Sequence, residues 1–481
     1  MNVLSLFSKP RNQSESTTTK NRVPPAEGYI TSPEGGWEPA GFDLDGSYVV
    51  LSRKTGQLIN LQARDLDQKK LVLLLGQTIL EDHVDLNPFT KSVEFSKEDL
   101  VTTIRKSCDE MGVFQKERVR GPGLYRDGDE LIINYGDYVA KSTGEAIRTA
   151  PCRTGAAYQS GPSLGLSPHA PVASDADVQN LVNAIQSFGL RKTGDAKLLL
   201  GWFAMAAFGP VLSHRPIVAI TAERGAGKTT LLELFAQLLG PQAMRRDGIP
   251  TVAQVIYELE KRPAALLVDE LEARRGKLAA VESFFETLRI GFSNSSGHRL
   301  SRVIGGKQRY FNAPAGVLVA GIGLPAFNPA TESRTVRICL NALEQSASGG
   351  YQPLFDTARE AETVELGRRL RRLLVTRWHI MRDAMTVVRP MLIALGHESR
   401  SADKYAPLVA GFLALTRASV PAAEELGALL AELELDQPQE QVAERDADVC
   451  LKCPRRSKSE PPCRSNIEPG LVADQRVVSC G

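Results

Sequence analysis

The stretch PIVAITAERGAGKTTLLELFAQLLG, residues 216–240, decides the fold. Pro216 to Thr221 is an apolar run of strand length, Gly225 to Thr229 a glycine-bearing turn, and Thr230 to Leu239 a helical stretch closed by Gly240-Pro241. Leu231, Leu234, Phe235 and Leu238 recur at three and four residues, so the helix has one face to bury. Strand, glycine turn and amphipathic helix in this order make a frame in which backbone N–H groups converge on a phosphate. The usual phosphate loop reads G-x-x-x-x-G-K-[ST]; here Ala222 replaces the first glycine, while Gly225 and Gly227 keep the turn flexible, with Ala226 between them in the nucleotide-binding set. Lys228 is expected to reach the β- and γ-phosphates of ATP and the Thr229 hydroxyl to hold Mg²⁺, with Thr230 completing the nucleotide-binding set.

Forty residues on, Leu266-Leu-Val-Asp269-Glu270 reads as a buried strand ending in two carboxylates. Asp269 is expected to serve the Mg²⁺ shell and Glu270 to act as the base that polarises the attacking water. Two solvent-facing acids at a strand end are the plainer alternative. Further apolar runs at Gly316 to Ala320 and Thr335 to Leu340, alternating with helical sequence around Leu278 to Ile290, predict an α/β fold built on a mostly parallel sheet. Ala320-Gly321 offers no hydroxyl or amide to sense a γ-phosphate. Arg334 and Arg337 stand before and within the last core strand; Arg334, in the loop, is preferred as the arginine that meets a γ-phosphate in cis or across a subunit boundary.

The rest of the chain frames this core. With 481 residues and 42% hydrophobic content, more than one core is expected. Lys+Arg 58 against Asp+Glu 56 leaves a formal charge of +2, so any polynucleotide contact must come from a local patch. Such a patch lies in GHRLSRVIGGKQRYF, where Arg299, Arg302, Lys307 and Arg309 surround Gly305-Gly306 and Tyr310 and Phe311 follow. A hairpin of this kind could grip single-stranded DNA by phosphate contact and stacking; a solvated basic hairpin is the alternative. The longest apolar run, Leu198 to Leu212, is broken by Gly201, Gly209 and Pro210 and reads as a buried helix rather than a membrane span. A cytoplasmic protein is expected, since NVLSLF is too short for a secretion signal.

Composition divides the chain into a flexible arm (1–26), a small α+β domain (27–150), a Gly/Ser/Pro-rich linker (151–174), the P-loop ATPase domain (175–345), a helical accessory region (346–435) and a polar tail (436–481) expected to be disordered. In the α+β domain, SYVVL and QLINL predict a hairpin, residues 96–113 a helix with Leu100, Ile104 and Met111 on one face, and Asp127-Gly128 a turn between strands. In the tail, Cys450 and Cys453 have knuckle spacing, and Cys463 and Cys480 could complete four thiolates around Zn²⁺. The loose, unequal spans favour a mobile tail with reduced cysteines instead.

Taken in order, RVRGPGLYRDGDELIINYGD, LLLGWFAMAAFGPVLSHRPIVAITAERGAGKTT, AALLVDELE and APAGVLVAGIGLPAFNPATESRTVRICL resemble the C-terminal helicase-like ATPase half of bacteriophage and prophage primase-helicase proteins, a P-loop group of the AAA+ or superfamily-3 kind. The resemblance spans about residues 92–340. It implies that Lys228, Thr229, Asp269 and Glu270 form the nucleotide site and that Arg334 is the arginine before the last core strand. It also implies a homo-oligomer such as a hexameric ring, acting as a DNA-dependent ATPase in the replication of mobile DNA. Ala222 departs from the pattern, and no primase module is recognisable upstream, so a separate primase or initiator would be the partner. A nucleotide-gated interaction, signalling or phage-defence protein is the competing class, favoured by the near-neutral charge and by Ala320.

Overall fold

The computed structural model describes residues 26–62, 68–76, 83–86, 92–251, 253–255, 265–271, 278–292, 300–304, 307–311, 315–322, 324, 327–341 and 360–436. The chain divides after Leu435, and the unit before that point is the one described. Alternating polar and apolar residues first build β1 (Trp37–Phe42), β2 (Tyr48–Ser52) and β3 (Leu58–Leu61), an antiparallel meander in which Leu51 faces Leu58 across the expected hairpin. Helix α1 (Gln68–Leu75), the short pair β4 (Val84–Leu86) and β5 (Val93–Phe95), and α2 (Lys97–Met111) follow. Ser96 caps α2 through the Asp99 N–H, and Gly112 ends it at φ 78°. The buried stripe of α2 is Leu100, Ile104 and Cys108, one residue every fourth; Met111, assigned to that stripe from sequence, is only partly covered.

After β6 (Val119–Arg120), the strands β7 (Gly123–Asp127), β8 (Glu130–Asn134) and β9 (Val139–Lys141) form a second meander, turned at Asp127-Gly128 as the sequence predicts. Successive β8 residues serve two cores. Ile132 packs with Ile30, Leu51 and Val139, whereas Leu131 and Ile133 join the large core of the chain. Within residues 151–174, β10 (Ala157–Tyr158) pairs with β6, and Leu164 and Leu166 are buried.

The central body begins with α3 (Asp175–Gln186), started by a reciprocal capping box between Ser174 and Asp177, and α4 (Asp195–Phe208), apolar on every side and buried along nearly its whole length. Then come β11 (Ile217–Ala222), α5 (Lys228–Leu239), β12 (Ala243–Asp247), β13 (Ala265–Asp269), α6 (Leu278–Gly291), the hairpin β14 (Leu300–Ile304) and β15 (Lys307–Phe311), β16 (Val317–Gly321), the single turn α7 (Pro329–Glu332) and β17 (Thr335–Leu340). Five of these strands form one sheet in the order β12-β13-β16-β11-β17, every pair parallel. The α/β fold is therefore as expected, with a parallel sheet, α+β structure before it and helices after it.

Strand alternation places this sheet between two layers. Val218, Ile220, Leu267, Leu318 and Ile338 face α4, α5 and the C-terminal helices; Ile217, Ala219, Leu266, Val268 and Val319 face α6 through Val281, Phe284, Phe285 and Leu288. Burying each such aliphatic side chain contributes about 1.5–3 kcal/mol. The C-terminal helices are α8 (Glu360–Thr376), α9 (Trp378–Ala394), α10 (Ser399–Thr416) and α11 (Ala423–Glu432). Helix α10 crosses α4 at backbone contact, because a Cβ on Gly201 would lie 1.9 Å from the Leu408 carbonyl oxygen and one on Gly411 2.5 Å from that of Gly201. The fully buried Arg371 on α8 has no carboxylate partner among the described residues; its guanidinium donates to the Leu164 and Gly165 carbonyls and to Gln242. Burial pushes its pKa down to about 10. Among the described residues, no helix is long and apolar enough to cross a membrane.

Candidate functional site

In a parallel sheet with helices on both faces, ligands meet the carboxyl ends of the strands, and both halves of the sequence-derived site lie at that edge. β11 ends at Ala222, and the chain turns through Gly225 at φ 77° and Gly227 at φ 85° straight into α5 at Lys228. Both angles lie in the left-handed region that favours glycine, which explains those two positions. Ala226 between them is fully buried and anchors the turn, while Thr229 is exposed. No side chain caps α5, so its first-turn N–H groups remain directed at the edge. Ala222, which replaces the usual first glycine, still belongs to the strand and is not where the turn needs positive φ.

Lys228 folds back over the turn, its Nζ donating to the Ala222 oxygen at 2.8 Å and the Glu223 oxygen at 2.6 Å. Partial burial holds its pKa below the usual lysine value, and the Asp269 carboxylate opposes that shift. Asp269 ends β13 and is buried; only β16 separates its strand from β11, which puts the two roughly 10 Å apart across the sheet. One Asp269 oxygen accepts the Glu270 N–H at 2.9 Å, and the other lies 4.0 Å from the Arg245 guanidinium. Arg245, on β12, also pairs with Glu233 of α5. The sequence reading assigned no strand to 243–247 and so passed over Arg245.

Glu270 is exposed and takes φ 54°, one of two non-glycine residues with positive φ among the described residues. A left-handed glutamate costs roughly 1–2 kcal/mol. The turn is held by the Leu271 N–H, which donates to the Ala320 oxygen at 2.9 Å, and by the burial of Leu271. Strain of this kind gathers where a side chain must be aimed. β16 ends beside this turn, and a Cβ on Gly321 would come within 2.4 Å of the Leu271 oxygen, so that position admits no side chain of any polarity.

Arg334 stands at the other edge. Its carbonyl accepts from Ile217 at the start of β11, whereas the loop follows Ala222; five residues of strand place it roughly 17 Å from the loop of its own chain. The guanidinium lies 5.5 Å from the Phe292 ring centroid and donates to Ala330, and among the described residues no carboxylate pairs with it. Arg337 is held by both oxygens of Glu332 at 2.9 and 3.0 Å and by the Phe327 ring, which accounts for it structurally. The backbone of the basic hairpin is antiparallel, pairing Arg302 with Arg309, Ile304 with Lys307 and Ser301 with Tyr310. Arg299 and Gly305-Gly306 lie outside the described residues, as do Cys450, Cys453, Cys463 and Cys480.

No protein-family model matches the chain, and a search of curated proteins finds no match. Among solved structures, the chain is similar to the apo structure of the NrS-1 C-terminal region (305-718), at 11% identity and a TM-score of 0.38, covering 87% of this chain and 77% of that one. The A form apo structure of the same region gives 11% identity and a TM-score of 0.36 over the same shares. Likeness at this level assigns no activity, and what the site can do follows from its own residues.

Proposed function

We propose that the chain binds and hydrolyses ATP with Mg²⁺ and couples turnover to the handling of single-stranded DNA, as an oligomeric, helicase-like motor. The observation that carries the reading is the convergence of Lys228, Thr229, Asp269 and Glu270 at one edge of the parallel sheet, with Glu270 in a strained turn. Oxygen donors from Thr229 and Asp269 suit Mg²⁺, which takes one or two protein oxygens and fills its shell from phosphate and water. When bound, Mg²⁺ neutralises charge on the β- and γ-phosphate oxygens.

Lys228 exchanges its two carbonyl partners for phosphate oxygens, and the uncapped start of α5 supplies N–H donors. Glu270 takes the proton from water as its oxygen bonds to the γ-phosphorus and the bond to the β–γ bridging oxygen breaks. Arg334 acts on the nucleotide of a neighbouring copy. Arg302, Lys307, Arg309 and Tyr310, with Arg299, engage the DNA backbone and bases, and a separate primase or initiator would supply the replication context.

A second reading, a nucleotide-gated interaction protein with slow turnover, is favoured by the end of β16, where Ala320 is apolar and Gly321 is sterically closed. Nucleotide binding and steady-state turnover, measured with and without single-stranded DNA, separate the two. Lys228→Ala is expected to weaken ATP binding. Glu270→Gln is expected to keep it while slowing turnover by a factor on the order of 10² or more. Equal loss of binding in both variants removes the base from Glu270, and slow turnover that DNA leaves unchanged selects the second reading.

A further inference from the structure

We propose that Arg400, at the start of α10 among the C-terminal helices, joins Arg334 and Arg289 in one composite cation site that receives the nucleotide phosphates held by a second copy of the chain. The inference rests on the trans reading of Arg334. Three separate elements build the site around one ring: Phe292 follows α6, Arg334 precedes β17 and lies 5.5 Å from the ring centroid, and Arg400 comes from α10 at 5.9 Å. Arg289, from the last turn of α6, joins the same ring through its backbone, its carbonyl accepting from the Phe292 N–H at 3.2 Å.

Local charge is out of balance. Four guanidinium groups, on Arg289, Arg334, Arg389 and Arg400, share two carboxylates among the described residues: Glu286, 3.5 Å from Arg289, and Asp403, 2.7 Å from Arg389. His214 also approaches Asp403, at 3.8 Å, and among the described residues no ion pair joins that carboxylate to Arg400. Burial lowers the Arg334 pKa, and repulsion from Arg400 and Arg289 adds to the shift. Arg400 is the second residue of a helix with no acid in its first turn, the end where a cation is disfavoured by the helix dipole. Within one chain the Phe292 ring offsets only part of the mutual repulsion of these cations, and an incoming anion removes the repulsion and the dipole cost together.

Polyphosphate suits the site, because planar guanidinium groups bind phosphate oxygens in pairs. Its source follows from the polarity of the sheet: the cations stand at the amino-terminal edge and the loop at the carboxyl edge, so only a head-to-tail neighbour can present its nucleotide here. The site also makes the C-terminal helices part of the neighbour's nucleotide chemistry.

The test uses the full chain in two backgrounds. In otherwise wild-type protein, Arg400→Gln should lower kcat about tenfold or more and also weaken binding of a fluorescent ATP analogue, with Arg400→Lys recovering part of both because it keeps the charge. In Lys228→Ala protein, whose own loop is disabled, titration with sodium tripolyphosphate should show binding that Arg400→Gln and Arg334→Gln each weaken. Unchanged kcat and unchanged tripolyphosphate binding in Arg400→Gln overturn the proposal. Loss of single-stranded DNA affinity with kcat intact also overturns it, and reassigns the cations to a polynucleotide. A wild-type chain that hydrolyses no ATP, but whose tripolyphosphate binding still depends on Arg400, keeps the anion site and removes the hydrolysis reading.

Discussion

The distance between Arg334 and its own loop gives the proposed subunit cooperation a number. Five residues of β11 separate the two edges, roughly 17 Å at about 3.3 Å per residue, which exceeds the reach of an arginine side chain of about 7 Å. The arginine therefore does not reach the loop of its own chain, and on the proposed reading it serves a neighbour's nucleotide. Lys228→Ala and Arg334→Ala chains, each inactive alone, should complement when mixed and allowed to exchange subunits. A working site needs an intact loop, contributed by the Arg334→Ala chain, beside an intact arginine, contributed by the Lys228→Ala chain. With equal amounts and random placement each condition holds in half of the positions, so about one quarter of sites are whole, whatever the ring size. Turnover of an equimolar mixture should approach about one quarter of the wild-type rate per protomer, and vary as the product of the two fractions across a titration. A mixture no more active than its components, in protein shown by mass measurement to assemble and exchange, would refute the trans assignment and the geometry behind it.

Other perturbations follow from the same structure. Reversing charge at Lys307 and Arg309 should abolish DNA-stimulated turnover and leave basal hydrolysis in place, with wild-type DNA affinity falling as salt rises; unchanged affinity for single-stranded DNA in the double variant removes the hairpin from DNA contact. Gly201→Ala should destabilise the fold by about 1–3 kcal/mol despite the better helix propensity of alanine, because its Cβ would meet Leu408 at the α4–α10 crossing. Gly427→Ala, in α11 with nothing within 4 Å, should instead stabilise by about 0.5–1 kcal/mol, and equal urea midpoints for the two variants would contradict the close crossing. His214 and His397 have pKa values lowered first by burial; Arg389, Arg215 and Arg400 add to the shift for His214 while Asp403 opposes it, and Lys404 adds to it for His397. Since the unfolded chain then binds more protons, their contribution is fully present above about pH 6.5 and is lost as pH falls through the lower folded values. Urea midpoints should drop between pH 7 and 5, and less so in His214→Gln; a flat profile would show that neither histidine is buried as described.

Much of the core was legible because local chemistry set it. The apolar run before Gly225 and the leucine spacing of α5 are short-range signals, and the elements begin and end close to where those signals stand. β12 was missed for a physical reason: it is an edge strand in which only Met244 is fully covered, so AMRRD carries no buried-strand pattern. Its Arg245 reaches Asp269 only through a strand order that no local stretch encodes. The same holds for Arg334, whose place before the last strand was clear but whose distance from the loop depends on every strand running the same way. On α2, Cys108 is buried on the same face as Leu100 and Ile104, a place the sequence reading left unassigned, while Met111 is partly covered.

β16 is fastened on all sides. It is hydrogen-bonded to β13 and β11 along its length, the Trp202 indole of α4 donates to the Val317 oxygen at its start, and the Leu271 N–H holds the Ala320 oxygen near its end. A strand so tethered behaves as a strut: it can neither slide in register nor bend independently of its neighbours. The Glu270 turn is thereby joined through β16 to α4, and through the close crossing of α4 to α10, which bears Arg400. On the motor reading proposed above, loosening either tether should leave nucleotide affinity in place and lower DNA-stimulated turnover.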